Sequence, residues 1–550
     1  MLRSTKICLL ILALLTPVDR VTAQSPDSLA ITTSELDARL RFLSSDLFEG
    51  RYPGTRGEAL TTGYLVSQLQ SFGVRPGVTG VANDTAAAWL QPVSILVHQP
   101  DSTAPAEARL SGRFNRTLEL GREIGFSNAS ANPDVRSGGE LVFVGYGIHA
   151  PMYQWDDFAR VDLRGKIPVV LLGEPTIAGD TVRFNGVRAS RFSWAYEKIA
   201  EMERRGAVGI LWLTPHGSLS VPVRRSRYLS SDVRDPRLLF MGALTDSAFA
   251  RLLPPRSPPV KAVLESAGKP GFRAIPLGLR LDASFRTRPT PVTTHNVIGV
   301  VPGSDPSLRS EHVVLSAHWD AYGIGPPVQG DSIYNGALDD GSGTTAMLAL
   351  ARVFARHPQK RSLTFLFTTA EEWGLMGAYA FVCSGLLPAE RIVANLNLDD
   401  GIELYGPKRD AAPLGIELST LGETIRKVAS NSGLRVSPDP YPEEGYFLRA
   451  DNYPFARAGI PALYMALGTD AVGRPSGYID AKVKEYLEVH YHQPSDEYEA
   501  VALDLEGSRQ YAEFVRDVTI ALANDSGRPT WHRGAEFQRL KERPTRNCVR

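Results

Sequence analysis

Between Glu311 and Asp400, four acidic or imidazole positions each close a run of apolar residues. Val313 to Ala317 runs into His318-Trp319-Asp320, and Asn335-Gly336-Ala337-Leu338 into Asp339-Asp340-Gly341-Ser342-Gly343. Leu363 to Ala370 runs into Glu371-Glu372, and Ile392 to Leu398 into Asp399-Asp400. Imidazole and carboxylate without thiolate suit Zn²⁺, and also Co²⁺ or Mn²⁺. A carboxylate shared by two ions, with a His and a second carboxylate completing the set, is a recurring hydrolase arrangement. The groups available for it are His318, Asp339, Glu372, Asp399 and a late histidine, His490 or His492. Asp320, two residues beyond His318, falls on the same side of an extended chain, where it can accept the proton of the other imidazole nitrogen. Glu371 and Glu372 point in different directions if the chain is extended, so one can bind metal while the other faces substrate as general base. A single acid after a strand is ordinarily a cap or turn residue. The ordered set on successive strands is what reads as a site.

Three of the four leader runs read as buried strands, short and bounded by turn residues, with helical patterns at Thr344–His357 and Leu375–Ser384 between them. Alternating strand and helix implies parallel strands with crossover helices, and ligands of such sheets bind beyond the strand carboxyl ends. Gly341-Ser342-Gly343 reads as a helix start that allows close packing behind Asp339. Further on, helices are expected at 415–431 and 507–524 and a strand at 461–467. Upstream, two amphipathic helices begin near Ser34 and Ala59. From about 125 to 275 the strands Glu140–Val144, Ile167–Leu172 and Val208–Leu213 surround a helix near Ala195–Arg205, the pattern of a separate β-rich domain with its own core.

The chain of 550 residues is too long for one ordinary core; 43% hydrophobic and 22% charged residues with zero formal net charge describe a soluble globular protein. No block of like charge points to nucleic acid or to an anionic membrane. Arg3 and Lys6, the apolar run Ile7–Leu15 and Val21-Thr22-Ala23 form a secretory signal peptide over 1–23, which implies export to periplasm or extracellular space. No later stretch approaches the roughly 20 apolar residues of a membrane span, so no stable membrane insertion is expected. Beyond the signal, Cys383 and Cys548 are the two cysteines, too few for a thiolate metal site.

The order and context of these residues resemble the M28 family of zinc peptidases, of the bacterial leucyl aminopeptidase type, over nearly the whole mature chain. The resemblance implies an α/β fold, a mostly parallel mixed sheet sandwiched by helices, with an inserted β-rich protease-associated domain. That domain is suggested by Val142-Phe143-Val144-Gly145-Tyr146-Gly147 and Val161-Asp162-Leu163-Arg164-Gly165-Lys166. The implied division is 1–23 signal peptide, 24–124 N-terminal helical segment, 125–275 inserted domain, 276–528 catalytic domain and 529–550 polar basic tail. By this similarity His318 and Asp399 serve different metal ions bridged by Asp339, Glu372 joins one and His492 the other, and Glu371 is the general acid/base acting on a metal-bridging water. His492 matches through Tyr491-His492-Gln493-Pro494-Ser495-Asp496, and Asp340 matches the residue that holds a strained backbone after the bridging acid. Trp319, Asp400 and Ala450-Asp451-Asn452 depart from the family's usual Tyr, Met and Ser-Asp-His at positions beside the ligands.

The implied activity is removal of N-terminal residues from peptide substrates with two Zn²⁺ ions. Two other readings stay open. A carboxypeptidase or dipeptidase on the same scaffold would need a basic pocket, to which Arg449 or Arg457 could contribute. A non-catalytic binding protein would have kept the fold, although such relatives usually lose ligands or base, and here all six positions are filled. A serine hydrolase is disfavoured, because no Gly-x-Ser-x-Gly turn is present.

Overall fold

A computed structural model describes residues 29–538 apart from 83–84, 178, 181, 215–218, 220–225, 229–237 and 500–502. The expected signal peptide, Cys548 and the end of the C-terminal tail lie outside the described residues.

Helices α1 (Thr33–Leu43) and α2 (Arg56–Phe72) lead into strands β1 (Leu90–Pro100), β2 (Glu107–Gly112), β3 (Ile124–Asn128), β4 (Asp134–Phe143) and β5 (Ile167–Leu171). Next come α3 (Ala195–Arg204), β6 (Gly209–Thr214), β7 (Phe240–Thr245) and the 27-residue strand β8 (Ile275–Val301). The chain continues through β9 (His312–His318), α4 (Ser342–Arg356), β10 (Ser362–Thr368), α5 (Met376–Ser384) and β11 (Ile392–Leu398). It closes with α6 (Leu421–Asn431), α7 (Asn452–Arg457), β12 (Ala462–Met465) and α8 (Glu506–Asn524).

One sheet runs β12-β11-β9-β10-β8-β1, with β12, β11, β9 and β10 mutually parallel and the last two pairings antiparallel. Successive side chains of a strand face opposite ways. Val313, Leu315 and Ala317 therefore enter a core with α1, α2, α4, α6 and α8, whereas Val314 packs on the other face with α5 and α7. Helices thus cover both faces, as the sequence implied.

The second sheet runs β8-β4-β5-β6-β7-β3, with β2 also on β8; β4 to β7 are parallel. β8 joins the two sheets. Its first half pairs with β2 and β4, its second with β1 and β10. Residues 107–112, expected within the helical N-terminal segment, pair into this second sheet, and 276–286, expected with the catalytic domain, do the same. The helix expected from 415 starts at Leu421: Gly415, with a left-handed φ of 91°, opens a separate turn closed by the Leu418 N–H, and Ser419 bridges Trp531 before the helix begins. The C-terminal segment is not wholly peripheral: Trp531 and Phe537 are buried, and the buried Glu536 accepts the N–H of Arg191 at 2.9 Å.

Candidate metal centre

The sheet places His318 at the last position of β9, Asp399 directly after β11 and the two glutamates just after β10. Asp339 comes from the loop ahead of α4, and His492 from the segment ahead of α8. His318 Nε2 lies 3.0 Å from Asp339 Oδ1 and 3.7 Å from Asp399 Oδ1. On the other side, His492 Nε2 lies 3.2 Å from Asp339 Oδ2 and 3.5 Å from Glu372 Oε2. Two three-donor sets, His318/Asp339/Asp399 and Asp339/Glu372/His492, therefore share Asp339, one carboxylate oxygen toward each. His318 and Asp399 fall together in one set, not on different ions as the resemblance implied, and Glu372 and His492 fall together in the other, because the ends of β9 and β11 are adjacent in the sheet. His490 takes no part; its Nδ1 lies 2.8 Å from the carbonyl of Ser495.

Backbone bonds fix these side chains. Asp340 accepts from the N–H groups of His318 (3.0 Å) and Gly343 (2.9 Å), tying the end of β9 to the start of α4, and the Asp339–Asp340 peptide is cis. Asp496 accepts from the N–H groups of Leu338 (3.0 Å) and Asp339 (3.3 Å). Asp320 acts differently from the expectation: the nearest partner of His318 Nδ1 is the Asp320 carbonyl at 3.0 Å, with the carboxylate at 3.7 Å. The Asp320 carboxylate instead receives the N–H of Glu371 at 3.1 Å. Nor is the chain extended at the glutamates. Ala370 has φ 51°, and the carbonyl of Glu371 accepts from Gly374 and Leu375 in a tight turn. Both side chains still reach the cleft, and only Glu372 joins a donor set.

Arg51, Tyr322 and Asp496 carry roles that the sequence left unassigned. Arg51 is fully buried and donates to the carbonyls of Trp319 (2.7 Å), Asn335 (2.5 Å), Gly336 (2.8 Å) and Leu43 (3.3 Å), clamping the His318 loop to the Asp339 loop. The Tyr322 hydroxyl lies 3.0 Å from His492 Nδ1, and the two rings are 4.4 Å apart. Of the three, only Asp496 had a signal, as the last residue of the Tyr-His-Gln-Pro-Ser-Asp stretch.

Electrostatically the site is a concentrated anion. Burial, followed by neighbouring charge, pushes the carboxyls of Asp340 and Glu371 well above the usual range. Burial and the Asp339 charge push Glu372 up to about 7. Burial opposes the charge on His318, but the carboxylates of Asp320, Asp339 and Asp399 outweigh it and raise the imidazole well above 6.5. Burial likewise opposes the charge on Asp339, yet the two imidazoles hold it far below the usual range. Buried carboxylates stay ionised only with cationic partners. Two sets of nitrogen and oxygen donors converging on one shared carboxylate match the ligand chemistry of Zn²⁺.

The site opens into a cleft of about 290 Å³ lined by Glu371, Asp400, Arg449, Tyr446, Tyr464 and Tyr491 among others. Of the residues that depart from the M28 pattern, Asp400 and Ala450 line this cleft; Trp319 and Asn452 are buried elsewhere.

Comparison with known proteins bears on this segment. Residues 296–519 match the model of peptidase family M28. "Probable leucine aminopeptidase 2" of Aspergillus oryzae is 37% identical over 90 residues, 16% of each chain. "Aminopeptidase YwaD" of Bacillus subtilis is 28% identical over 216 residues, 38% of this chain and 41% of that one. A "vacuolar membrane protease" of Kluyveromyces lactis is 33% identical over 115 residues, 21% of this chain and 11% of that one. The chain spans at most about half the length of the curated relatives it matches. An aminopeptidase from Aneurinibacillus sp. strain AM-1 shares the fold over 91% of this chain and 96% of its own, with a TM-score of 0.51 and 19% identity. The stretch from 296 to 519 that matches the peptidase family M28 model supplies every donor gathered at the sheet edge.

Proposed function

We propose that this protein is an exported di-zinc aminopeptidase that removes N-terminal residues from peptides. The observation that carries the reading is the pair of donor sets sharing Asp339, with Glu371 beside them in an open cleft and outside both sets. His318, Asp339 and Asp399 would hold one ion, and Asp339, Glu372 and His492 the other. Bound zinc would lower the pKa of water toward about 7 and polarise the peptide carbonyl. Glu371, whose carboxyl burial raises above the usual carboxylate range, would take the proton of the attacking water and deliver it to the leaving amine. Asp320 holds the Glu371 turn through the backbone N–H and His318 through its own carbonyl, so base and ligand keep a fixed relation. Asp399 and Asp400 line the cleft, where their carboxyl groups could meet a substrate ammonium group. Export rests on the N-terminal signal pattern.

A carboxypeptidase activity is the second reading, favoured by one observation: Arg449 lines the cleft, where it could meet a substrate carboxylate. Arg457 does not line it, being paired with Glu197 at 2.9 Å.

Three versions of one leucine-led peptide, with free ends, a blocked N-terminus or a blocked C-terminus, separate the readings on zinc-loaded protein. Survival of the N-blocked peptide alone supports the aminopeptidase. Survival of the C-blocked peptide alone transfers the assignment to a carboxypeptidase. Survival of all three with fewer than two zinc ions per chain would sink both.

A further inference from the structure

The wall of the cleft is not built by the M28 segment alone. Trp194 and Tyr196, from the start of α3 in the β-rich lobe, line it together with Gly374 and Leu375. Gly374 belongs to the turn that carries Glu371, donating its N–H to the Glu371 carbonyl at 2.7 Å. Its φ is 104°, and a Cβ there would collide with the Tyr196 hydroxyl, so the lobe sits directly on the general-base turn. This placement is held firmly. Glu197, the next residue of α3, is buried against Arg457 Nε (2.9 Å), the Tyr453 hydroxyl (3.1 Å) and Arg191 (3.0 Å). The Trp194 ring packs edge-on against Tyr453, with centroids 6.5 Å apart. Two aromatic rings are therefore fixed beside the residue that must protonate the leaving amine.

We propose that Trp194 and Tyr196 form the subsite for the residue on the leaving side of the scissile bond and give the enzyme a preference for a large aromatic side chain there. The inference rests on the aminopeptidase reading. Its physical basis is position. Whatever group Glu371 protonates belongs to the leaving fragment, so the surface bordering the Glu371 turn borders that fragment's first side chain. An indole and a phenol held by buried contacts offer a preorganised face for a third ring, and aromatic pairs gain beyond their area burial. The β-rich lobe is then a specificity element and not only a scaffold.

The test compares leucyl-phenylalanine amide with leucyl-glycine amide on the zinc-loaded full chain, in the parent, Trp194→Ala, Tyr196→Ala and Trp194→Phe proteins. In the parent, kcat/KM should favour the phenylalanine substrate by about three- to tenfold, the scale of one aromatic pair. Each alanine variant should bring this ratio toward one, chiefly through KM for the phenylalanine substrate, and Trp194→Phe should restore most of it. A parent ratio near one overturns the subsite while leaving the aminopeptidase intact. So does an alanine series in which both substrates fall in parallel and the ratio survives, which would mark Trp194 and Tyr196 as structural. If the parent cleaves neither amide, the aminopeptidase reading itself falls, and the subsite with it.

Discussion

Asp339 is the residue on which the centre turns, because its two oxygens face different imidazoles. In the proposed mechanism the neighbouring glutamates divide the remaining work, and their substitution separates binding from proton transfer. Glu371→Gln should lower kcat by about 10²–10⁴, the usual worth of a general acid/base, while elemental analysis still finds two zinc ions per chain. Glu372→Ala should lose zinc. The reverse pattern would exchange the two roles. Arg51 makes a different kind of contribution, as a buried cation spent on four carbonyls. Arg51→Met leaves those carbonyls short of donors and should destabilise the fold by about 3–5 kcal/mol, read from denaturant midpoints. A loss below about 1 kcal/mol would mean that water replaces the guanidinium. The donors were legible because each is an ionisable residue at the end of an apolar run. Arg51 was not, because nothing local separates a buried arginine in a turn from an exposed one; three of its four partners are some 270–285 residues away.

At the scale of elements, close contact between α4 and the sheet is what presses Asp339 into place. A Cβ on Gly343 would collide with the carbonyl of Leu398 and the carboxylate of Asp340. Gly343→Ala should therefore cost about 1–3 kcal/mol as an overpacking change and also weaken zinc binding, since Asp340 and Leu398 flank the donors Asp339 and Asp399. Calorimetric zinc titration of the variant checks this; unchanged affinity would uncouple the helix start from the centre. The parallel strands β9, β10 and β11 and the helices between them were readable because their apolar runs are continuous and the turn residues sharp. β1 and β8 as far as Pro291 were not. They alternate exposed and buried residues and carry Pro92, Pro100, Pro276, Pro289 and Pro291, which locally argue against strand. Only long-range pairing makes them a sheet.

For the whole molecule, gathering buried carboxyl groups around one cleft carries a cost, and it makes a prediction whose sign depends on zinc. Burial, with the charges of Asp339 and Asp399 nearby, pushes Asp496, Asp451 and Glu372 up to about 7, against about 4 in an unfolded chain. Between those values the zinc-free native state binds more protons than the unfolded state. Its stability therefore falls as pH rises from about 4 to 7 and is greatest at the acidic end of that window. Zinc reverses the balance, because its ligands bind deprotonated and its affinity rises with pH. It adds stability as RT ln(1 + [Zn]/Kd), about 4 kcal/mol at a thousandfold excess over Kd. Chelated protein should thus melt at a higher temperature at pH 5 than at pH 7.5, and zinc-loaded protein in the opposite order. The shift on adding zinc should be largest at the higher pH. Thermal unfolding at the two pH values, with and without chelator, decides it. Parallel pH profiles in both states would mean that the buried acids remain ionised without metal, compensated by Arg51, Arg449 and the two imidazoles alone. Zinc would then be a catalytic ion and not a structural counter-charge for this fold.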